Sequence, residues 1–401
     1  MIPSDATTEG VVGMRASHPR RIVHVVPSEL ARGAQVYLRD LCQLLDGDPD
    51  EHSVTTIFAS PDSTLGGHHA LGVSSGRLRR AGLDPRALLS LAKHLRSLHP
   101  TLIVAHGGEA MKYAALTLTP APVVYYRIGT STVSARHGWR RLLYRTLARR
   151  LAGIAAVSED TAVEARELLG VAPGMVVVVP NGRDPSHYAT LPTPPKSDSE
   201  LRLVFVGQFT PGKRPERFVE LVADLRARGI AAEATMVGGG PMLEQLRSVA
   251  RREGIDLLGS RDDVPALLGT FDVLVFTSVA AGEGMPGVLI EAGLAGLAVV
   301  ATDVPGVADV VEHGVTGFVV AVDDQRALIE SVCQLHGDPD LRSAMGSAAR
   351  RRCTTHFSLA ASAARWRELI DQVAPLKEDR GKARVKLDRV AQNRLPFRSP
   401  R

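Results

Sequence analysis

Apolar strand patterns alternate with helical patterns along most of the chain, and this alternation occurs twice. In the first half, strand patterns lie at 21–27, 53–58, 102–105, 123–126, 154–157 and 176–179, and helical patterns at 85–98, 109–116, 140–151 and 161–169, with another helix entered through a turn at 28–35. In the second half, strand patterns lie at 201–207, 233–237, 255–258, 273–276 and 299–301, and helical patterns at 215–228, 242–252, 264–268, 287–295 and across 325–373. Strands that alternate with helices form βαβ units. The sequence therefore predicts an α/β chain with two parallel sheets.

A proline- and serine-rich segment separates the two halves. We predict a flexible tail at 1–20, a first domain at 21–190, a linker at 191–200, a second domain at 201–373 and a basic flexible tail at 374–401. Both tails are poor in the periodic apolar residues that a core requires. Two α/β domains of similar size place the main cleft between them, where ligands commonly bind.

Composition favours an ordinary soluble protein, with 44% hydrophobic and 23% charged residues. Cys42, Cys333 and Cys353 lie too far apart in sequence for a disulfide framework, which favours a reducing compartment. No apolar run is long enough to span a membrane or to act as a signal peptide, so the expected location is the cytoplasm. Aromatic residues are only 4% and do not interleave with basic ones, which argues against nucleic acid as a partner. No cluster of histidine and carboxylate residues has the spacing of a metal site, so no metal or other cofactor is expected.

The stretch from Gly282 to Gly293 begins as a glycine-broken loop and continues as a helix. Pro286 suits the first helical position, and the unpaired amides just inside such a helix attract phosphate. Glu283 lies in the loop and Glu291 about one turn into the helix, on either side of that anion site. A nucleotide-sugar has this layout, with a diphosphate between two polyol groups. Alternatively, Glu283 favours the helix dipole and Glu291 is an ordinary helical residue.

Further motifs follow the same order as in a known family. They are Val206-Gly207-Gln208-Phe209-Thr210-Pro211-Gly212-Lys213, Val237-Gly238-Gly239-Gly240-Pro241, Leu258-Gly259-Ser260-Arg261-Asp262-Asp263-Val264, the segment from Glu283 to Glu291, Glu312-His313-Gly314-Val315-Thr316-Gly317, and in the first half Val179-Pro180-Asn181-Gly182 and Val157-Ser158-Glu159. From about residue 20 to residue 373, the chain resembles the retaining glycosyltransferases of family 4, the glycosyl transferases group 1. This resemblance implies the GT-B fold, in which two Rossmann-like domains with parallel sheets face each other across a central cleft.

The resemblance also implies roles for individual residues. The first domain would bind the acceptor, and the second would hold the nucleotide-sugar donor through Glu283 on the sugar, Glu291 on the ribose and Lys213 on the diphosphate. Other donor-binding residues implied in this way are Arg32, Gly33, Gln208, Gly238, Arg261, Val264, Gly284, Met285, Pro286 and Gly287. Lys213 also has a case of its own, because it follows a strand and a proline-glycine turn and its ammonium can reach the cleft. The alternatives are a solvated surface lysine and, for Gly238, a simple strand-ending turn.

The sequence departs from the family pattern at three positions. Gln208 stands where the family usually has arginine, Arg32 precedes Gly33 where adjacent glycines are usual, and Ile128 stands where many members carry histidine. We hypothesise that Arg32 supplies the missing cation across the cleft. The alternative is that Arg32 is an exposed loop residue.

His106 and an arginine-rich helix are the other candidate features of the first half. His106 ends a strand before two glycines and is expected to point toward the cleft, as an acceptor-site acid or base or as a structural hydrogen-bonding residue. In the helix at 139–151, the apolar face is expected to comprise Trp139, Leu142, Leu143, Leu147 and Leu151. The opposite, arginine-rich face is either a solvated surface or a contact for anionic lipid or an anionic acceptor.

The predicted function is transfer of a sugar from a nucleotide-diphosphate sugar to an acceptor hydroxyl, in glycan, glycolipid or glycosylated-metabolite biosynthesis. The family implies retention of configuration and front-face attack, with Glu283, Lys213 and His106 as the candidate catalytic residues. Two alternatives stay open, which are a sugar-nucleotide epimerase of the same architecture and a non-catalytic nucleotide-sugar-binding subunit. The enzyme is expected in the cytoplasm, with peripheral contact at the inner membrane face. The sugar, base, acceptor and oligomeric state are not predicted.

Overall fold

The computed structural model describes residues 19–28, 33–46, 50–59, 69–130, 138–188, 200–279 and 283–376. Nearly all of both predicted tails and of the linker lies outside these ranges. Arg32 and Gly282 also lie outside them, so the hypothesis about Arg32 stays a prediction.

The first half forms a seven-stranded parallel sheet in the order β3-β2-β1-β4-β5-β6-β7. Its strands are β1 (Arg20–Ser28), β2 (Asp50–Phe58), β3 (His69–Val73), β4 (Leu102–His106), β5 (Val123–Arg127), β6 (Leu151–Ala156) and β7 (Val176–Val178). Its helices are α1 (Gly33–Leu45), α2 (Arg77–Ala81), α3 (Pro85–Leu98), α4 (Gly107–Leu116), α5 (Gly138–Ala148) and α6 (Glu159–Leu169). Helices cover both faces of the sheet, so strands such as β4 and β5 are buried throughout.

The second half forms a six-stranded parallel sheet in the order β10-β9-β8-β11-β12-β13. Its strands are β8 (Leu201–Val206), β9 (Ala232–Val237), β10 (Asp256–Gly259), β11 (Val273–Phe276), β12 (Ala298–Thr302) and β13 (Gly317–Val320). The helices are α7 (Pro215–Ala227), α8 (Leu243–Arg252), α9 (Val264–Leu268), α10 (Gly287–Ala295), α11 (Val307–Val310), α12 (Gln325–Gly337), α13 (Pro339–His356) and α14 (Leu359–Val373). The two predicted parallel sheets are confirmed.

Both sheets reverse their strand order at one place, between β1 and β4 and between β8 and β11. The loops at the carboxyl ends of these neighbouring strands diverge and leave a crevice, which is the usual ligand site of an open α/β sheet. The residues after β8 and β11 include Lys213 and Glu283. The topology therefore brings the two predicted donor residues to the same crevice.

The last helix, α14, returns to the first domain. Trp366 is fully buried, and its Nε1 donates to the hydroxyl of Tyr37 on α1 at 3.0 Å. Arg20 of β1 forms an ion pair with Asp371 at 2.7 Å. The sequence prediction counted residues up to 373 in the second domain, but α14 packs against the first.

None of the described helices has the length and apolar character to cross a lipid bilayer.

Candidate functional site

Lys213 and Glu283 form an ion pair at the crevice of the second sheet. The side chains are 28% and 13% exposed, and the Lys213 ammonium also lies 5.3 Å from the ring centroid of Phe276. The loops that carry them are held together, because the Thr277 hydroxyl donates to the carbonyl oxygens of Lys213 and Arg214 at 2.8 and 2.9 Å. A fixed cation and a fixed carboxylate therefore lie side by side, in reach of solvent.

The helix start beside this pair has the predicted form with one difference. α10 runs from Gly287 to Ala295 as expected, but Pro286 is the residue before the first turn, with φ −67° and ψ 109°. Among the described residues no side chain caps this end of the helix. The first-turn amides of α10 can therefore serve an anion held near Glu283.

Arg183 is a site residue that the sequence did not single out. Its Nε donates to Glu291 Oε1 at 2.8 Å, and the two side chains are only 12% and 19% exposed. The guanidinium lies so close to the start of α10 that a Cβ on Gly287 would be 2.4 Å from Arg183 Nη2. The signal in the sequence was its position directly after the Pro-Asn-Gly motif. Glu291, the predicted ribose contact, is thus oriented by a partly buried cation.

The backbone of Arg183 is fixed by the chain as it crosses between domains. Its N–H donates to the carbonyl oxygen of Phe357 at 3.0 Å, and its carbonyl accepts from the Leu359 N–H at 2.8 Å. Gly182 allows this approach, since a Cβ there would lie 2.7 Å from Leu359 Cα. The start of α14 therefore fixes the backbone of Arg183, and the Arg183 side chain in turn orients Glu291.

Other predicted donor residues of the second domain are spread around the same sheet edge. Gln208 is exposed directly after β8, and Val264 begins α9. Arg261 forms an exposed pair with Asp263, 2.7 Å from Nε to Oδ1. Gly238 has φ +143°, and a Cβ there would lie 1.8 Å from the Gly207 carbonyl oxygen. Close packing against the loop after β8 is enough to require glycine at position 238. This agrees with the alternative interpretation of Gly238 as part of a strand-ending turn.

The two domains touch directly beside Glu283. The Thr130 N–H donates to the Glu283 carbonyl oxygen at 3.2 Å. Gly284 is buried, and a Cβ there would lie 2.3 Å from the carbonyl oxygen of Ile128. Met285 is also buried, at 6% exposure. The residues after β5 and the segment from Glu283 to Met285 therefore form one continuous surface.

A cavity of about 290 Å³ opens on the first-domain side of this contact. It lies at the carboxyl ends of β4 and β5, and its lining includes Gly107, Gly108, Arg127, Ile128, Thr130 and Tyr144. Arg127 is 2% exposed and forms an ion pair with Glu164 at 2.7 Å. The cavity has both polar groups and room for part of a sugar-sized acceptor, next to Glu283.

His106 does not face the cleft, which corrects the prediction. As the last residue of β4 it shares the sheet face of Leu102 and Val104, and it is 5% exposed. Its Nε2 lies 2.9 Å from His24 Nδ1, and its ring packs edge-on against Tyr126. Burial lowers the pKa of His106 to about 3, so the ring is neutral at pH 7 and is not a general acid. The structural alternative describes His106 better.

The arginine-rich helix α5 is shorter than predicted. It ends at Ala148, and Leu151 is the first residue of β6 rather than part of the helix. Leu147 is buried, but Leu142 is 68% exposed, so the expected apolar face is wrong at that position. Arg140 and Arg141 are exposed on the same helix. The Trp139 side chain lies outside what the structure describes.

Comparisons with known proteins agree with this geometry. The family model described as Glycosyltransferase Family 4 matches residues 31–187, and that described as Glycosyl transferases group 1 matches residues 200–338. The structure of Anabaena HepE in complex with UDP and glucose matches with a TM-score of 0.74 at 20% identity, over 88% of this chain and 99% of that one. This likeness shows the fold.

Two curated relatives are similar over part of the sequence. N-acetyl-alpha-D-glucosaminyl L-malate synthase of Bacillus anthracis is 29% identical over 165 residues, which are 40% of this chain and 42% of that protein. A UDP-Gal:alpha-D-GlcNAc-diphosphoundecaprenol alpha-1,3-galactosyltransferase of Escherichia coli is 25% identical over 303 residues, 69% of this chain and 76% of that protein. The chain thus spans less than half the length of the Bacillus relative. Family models match both halves of the chain. The chain therefore belongs to the family 4, group 1 glycosyltransferases and has their GT-B fold.

Proposed function

We propose that this chain transfers a sugar from a nucleoside-diphosphate sugar, held by the second domain, to an acceptor hydroxyl held by the first. The observation that carries the proposal is the Lys213–Glu283 ion pair at the crevice beside the start of α10. Cation, carboxylate and helix-start amides match the charges of a diphosphate and the hydroxyls of a sugar. The Escherichia coli relative uses UDP-Gal, and HepE was solved with UDP and glucose, which supports a donor of this class.

The side chains at the crevice have complementary tasks in this reaction. Donor binding separates the ion pair, so that Lys213 contacts the diphosphate and Glu283 accepts hydrogen bonds from sugar hydroxyls. Negative charge grows on the diphosphate as its bond to the anomeric carbon breaks, and Lys213 and the α10 amides stabilise that charge. The family resemblance implies attack from the face that the diphosphate leaves, with retention of configuration.

The acceptor hydroxyl belongs in the first-domain cavity. Thr130 lines the cavity and donates its N–H to the Glu283 backbone carbonyl oxygen, which supports an acceptor close to the residue that would hold the donor sugar. With donor and acceptor bound, contact between the domains here would restrict the access of water to the reacting atoms and so limit hydrolysis of the donor. The setting that we propose is glycan, glycolipid or glycosylated-metabolite biosynthesis.

A panel of nucleoside diphosphates and their sugars tests the donor assignment by thermal shift and by transfer assays. One of them should raise the melting temperature of the chain, because a ligand that binds only the folded form stabilises it. Lys213→Ala should reduce kcat/KM for that donor by about 10²-fold or more, the size of effect seen when a transition-state charge loses its partner. Lys93→Ala, at an exposed lysine of α3, is the matched control.

The products separate this proposal from its alternatives. Isomerised donor without transfer would favour the epimerase, and binding without turnover would favour a non-catalytic subunit. A chain whose melting temperature responds to none of the nucleotides would overturn the proposal as a whole.

We also propose that α5 touches an anionic membrane surface. An exposed leucine, Leu142, lies on this helix among arginines, and an apolar side chain with basic neighbours suits the headgroup region of a lipid layer. The wild-type chain should co-sediment with vesicles of phosphatidylglycerol and not with vesicles of phosphatidylcholine. Leu142→Glu should reduce pelleting, whereas Leu89→Glu, at a 71% exposed leucine of α3, should not. Equal pelleting of both variants would remove the membrane contact.

A further inference from the structure

Two histidines and a cysteine of the first domain converge beneath α1. His24 lies on β1, His52 on β2 and Cys42 on α1, so three separate elements contribute. One potential ligand atom from each side chain lies within 4.8 Å of the other two. His24 is fully buried, and Cys42 and His52 are partly buried. Neither the donor crevice nor the first-domain cavity includes any of the three.

These side chains are a donor set for a borderline divalent metal ion. Zinc binds imidazole nitrogen at about 2.0–2.1 Å and cysteine sulfur at about 2.3 Å, usually with tetrahedral geometry. Those bond lengths put two nitrogens about 3.4 Å apart and a nitrogen about 3.6 Å from the sulfur. His24 Nε2 and His52 Nδ1 are already 3.0 Å apart. Closing the group around an ion therefore takes side-chain movements of roughly 1 Å.

His106 supplies the support that a metal-bound histidine requires. A histidine that binds metal through one ring nitrogen keeps its proton on the other and donates it to a neighbouring group. His24 Nδ1 lies 2.9 Å from His106 Nε2, which can accept that proton. The Nε2 of His24 is then the atom that faces His52 and an incoming ion.

We propose that His24, Cys42 and His52 form a binding site for a zinc-like divalent metal ion, with a fourth position open to water. On binding, the two imidazoles act as neutral ligands and the Cys42 thiol loses its proton to solvent. The ion would link β1, α1 and β2, which makes it a structural element of the first domain rather than part of the donor site.

Cobalt(II) provides a direct optical test, since thiolate ligation gives a charge-transfer band in the near ultraviolet. The purified chain, treated with a chelator and dialysed, should bind one equivalent of cobalt(II) with this band, and zinc(II) should displace it. Cys42→Ser should abolish the band, whereas Cys333→Ser, at a half-buried cysteine of α12, should keep it. His52→Gln should weaken zinc binding by more than about tenfold, a loss that even indirect changes around metal sites cause.

The melting temperature with and without zinc(II) provides the second measurement. Zinc(II) should raise the melting temperature of the wild-type chain and of Cys333→Ser, and should leave that of Cys42→Ser unchanged. Absence of the cobalt band in the wild-type chain would overturn the proposal whatever the variants do. A band that survives Cys42→Ser, or that is lost only with Cys333→Ser, would overturn it as well. These readouts do not depend on the transferase assignment.

Discussion

At the scale of single residues, Arg183 is the clearest addition to the site. It holds Glu291 at 2.8 Å in a largely buried pair, and Glu291 is the predicted ribose contact. We expect Arg183→Ala to raise the donor KM about tenfold, equivalent to about 1.4 kcal/mol, with a smaller change in kcat. Steady-state kinetics at varied donor concentration measures both constants.

Arg183→Lys distinguishes positioning from simple charge. Lysine keeps the positive charge but cannot reproduce the planar guanidinium contact, so it should recover only part of the donor affinity. Arg326→Ala removes an 85% exposed arginine that pairs with Glu330 and is the matched control. An Arg183→Ala enzyme with the wild-type KM would show that the pair has no part in donor binding.

The sequence indicated some of these residues and not others, for physical reasons. Lys213 and Glu283 were assigned to one site on the family resemblance, and the strands that precede them are neighbours at a reversal of strand order. Arg183 could not be assigned, since its partner is 108 residues away on another domain. His106 was placed at the correct strand end, but only strand register and packing decide which sheet face its ring takes.

The same limit applies to the group of His24, Cys42 and His52. The spacing of these residues along the sequence matches no metal motif, and the expectation of a metal-free chain rested on spacing alone. The parallel pairing of β1 with β2, in which Ile22 lies opposite His52, brings the residues together with α1. Sites of this kind depend on tertiary contacts that a single sequence does not encode locally.

At the scale of elements, α14 links the two domains. Its Trp366 is fully buried against the first domain and donates to Tyr37, whose hydroxyl also lies 2.5 Å from that of Ser362. We expect Trp366→Ala to lower the free energy of unfolding by about 3–5 kcal/mol, because it leaves a large cavity and removes one buried hydrogen bond to the Tyr37 hydroxyl. Urea unfolding followed by circular dichroism measures the change.

A control substitution separates this packing effect from a general effect of mutation. Leu89→Ala truncates a 71% exposed side chain on α3 and should change stability by less than about 0.5 kcal/mol. Trp366→Phe should lie between the two, since it keeps most of the buried ring. Equal stability of Trp366→Ala and Leu89→Ala would mean that α14 is not an anchor.

Element boundaries could be predicted where periodicity and end signals agreed. α10 has proline before its first turn and glycine after its last, and it has the predicted bounds. α5 was drawn too long, because Leu151 continues the apolar spacing of the helix although it belongs to β6. Two edge strands were missed, since β3 is short, largely exposed and contains Gly72, and β13 has only four residues and begins at Gly317. Neither has the longer apolar run on which the other strands were recognised.

At the scale of the whole molecule, the structure is a closed two-domain arrangement. Besides the contact at Glu283, the Glu159 N–H donates to Asp309 at 2.8 Å and the Gly306 N–H donates to Asp160 at 3.0 Å. The sequence predicted two domains and a cleft, but it carried no information on how far the cleft closes. That distance depends on contacts between loops that are remote in sequence.

Gly284 offers a way to test whether this closure is required for transfer. An alanine there would place its Cβ 2.3 Å from the Ile128 carbonyl oxygen of the other domain, so the closed contact could not form without a shift. We expect Gly284→Ala to increase the radius of gyration and to reduce transfer by about 10²-fold, since misplacing the reacting groups by about 1 Å has that effect. Small-angle X-ray scattering and a transfer assay measure the two changes.

The donor affinity of Gly284→Ala shows whether a lower transfer rate comes from weaker donor binding or from loss of the closed contact. The donor contacts belong to the second domain, so calorimetry should show a much smaller loss of donor affinity than of transfer in Gly284→Ala. Gly337→Ala is the matched control, because a Cβ there has no neighbour within 4 Å, and it should leave scattering and turnover unchanged. A Gly284→Ala enzyme with wild-type dimensions and full turnover would show that transfer does not require the Ile128–Gly284 contact. Sugar transfer between a donor at the Lys213–Glu283 pair and an acceptor in the cavity would then take place in a more open arrangement of the two domains.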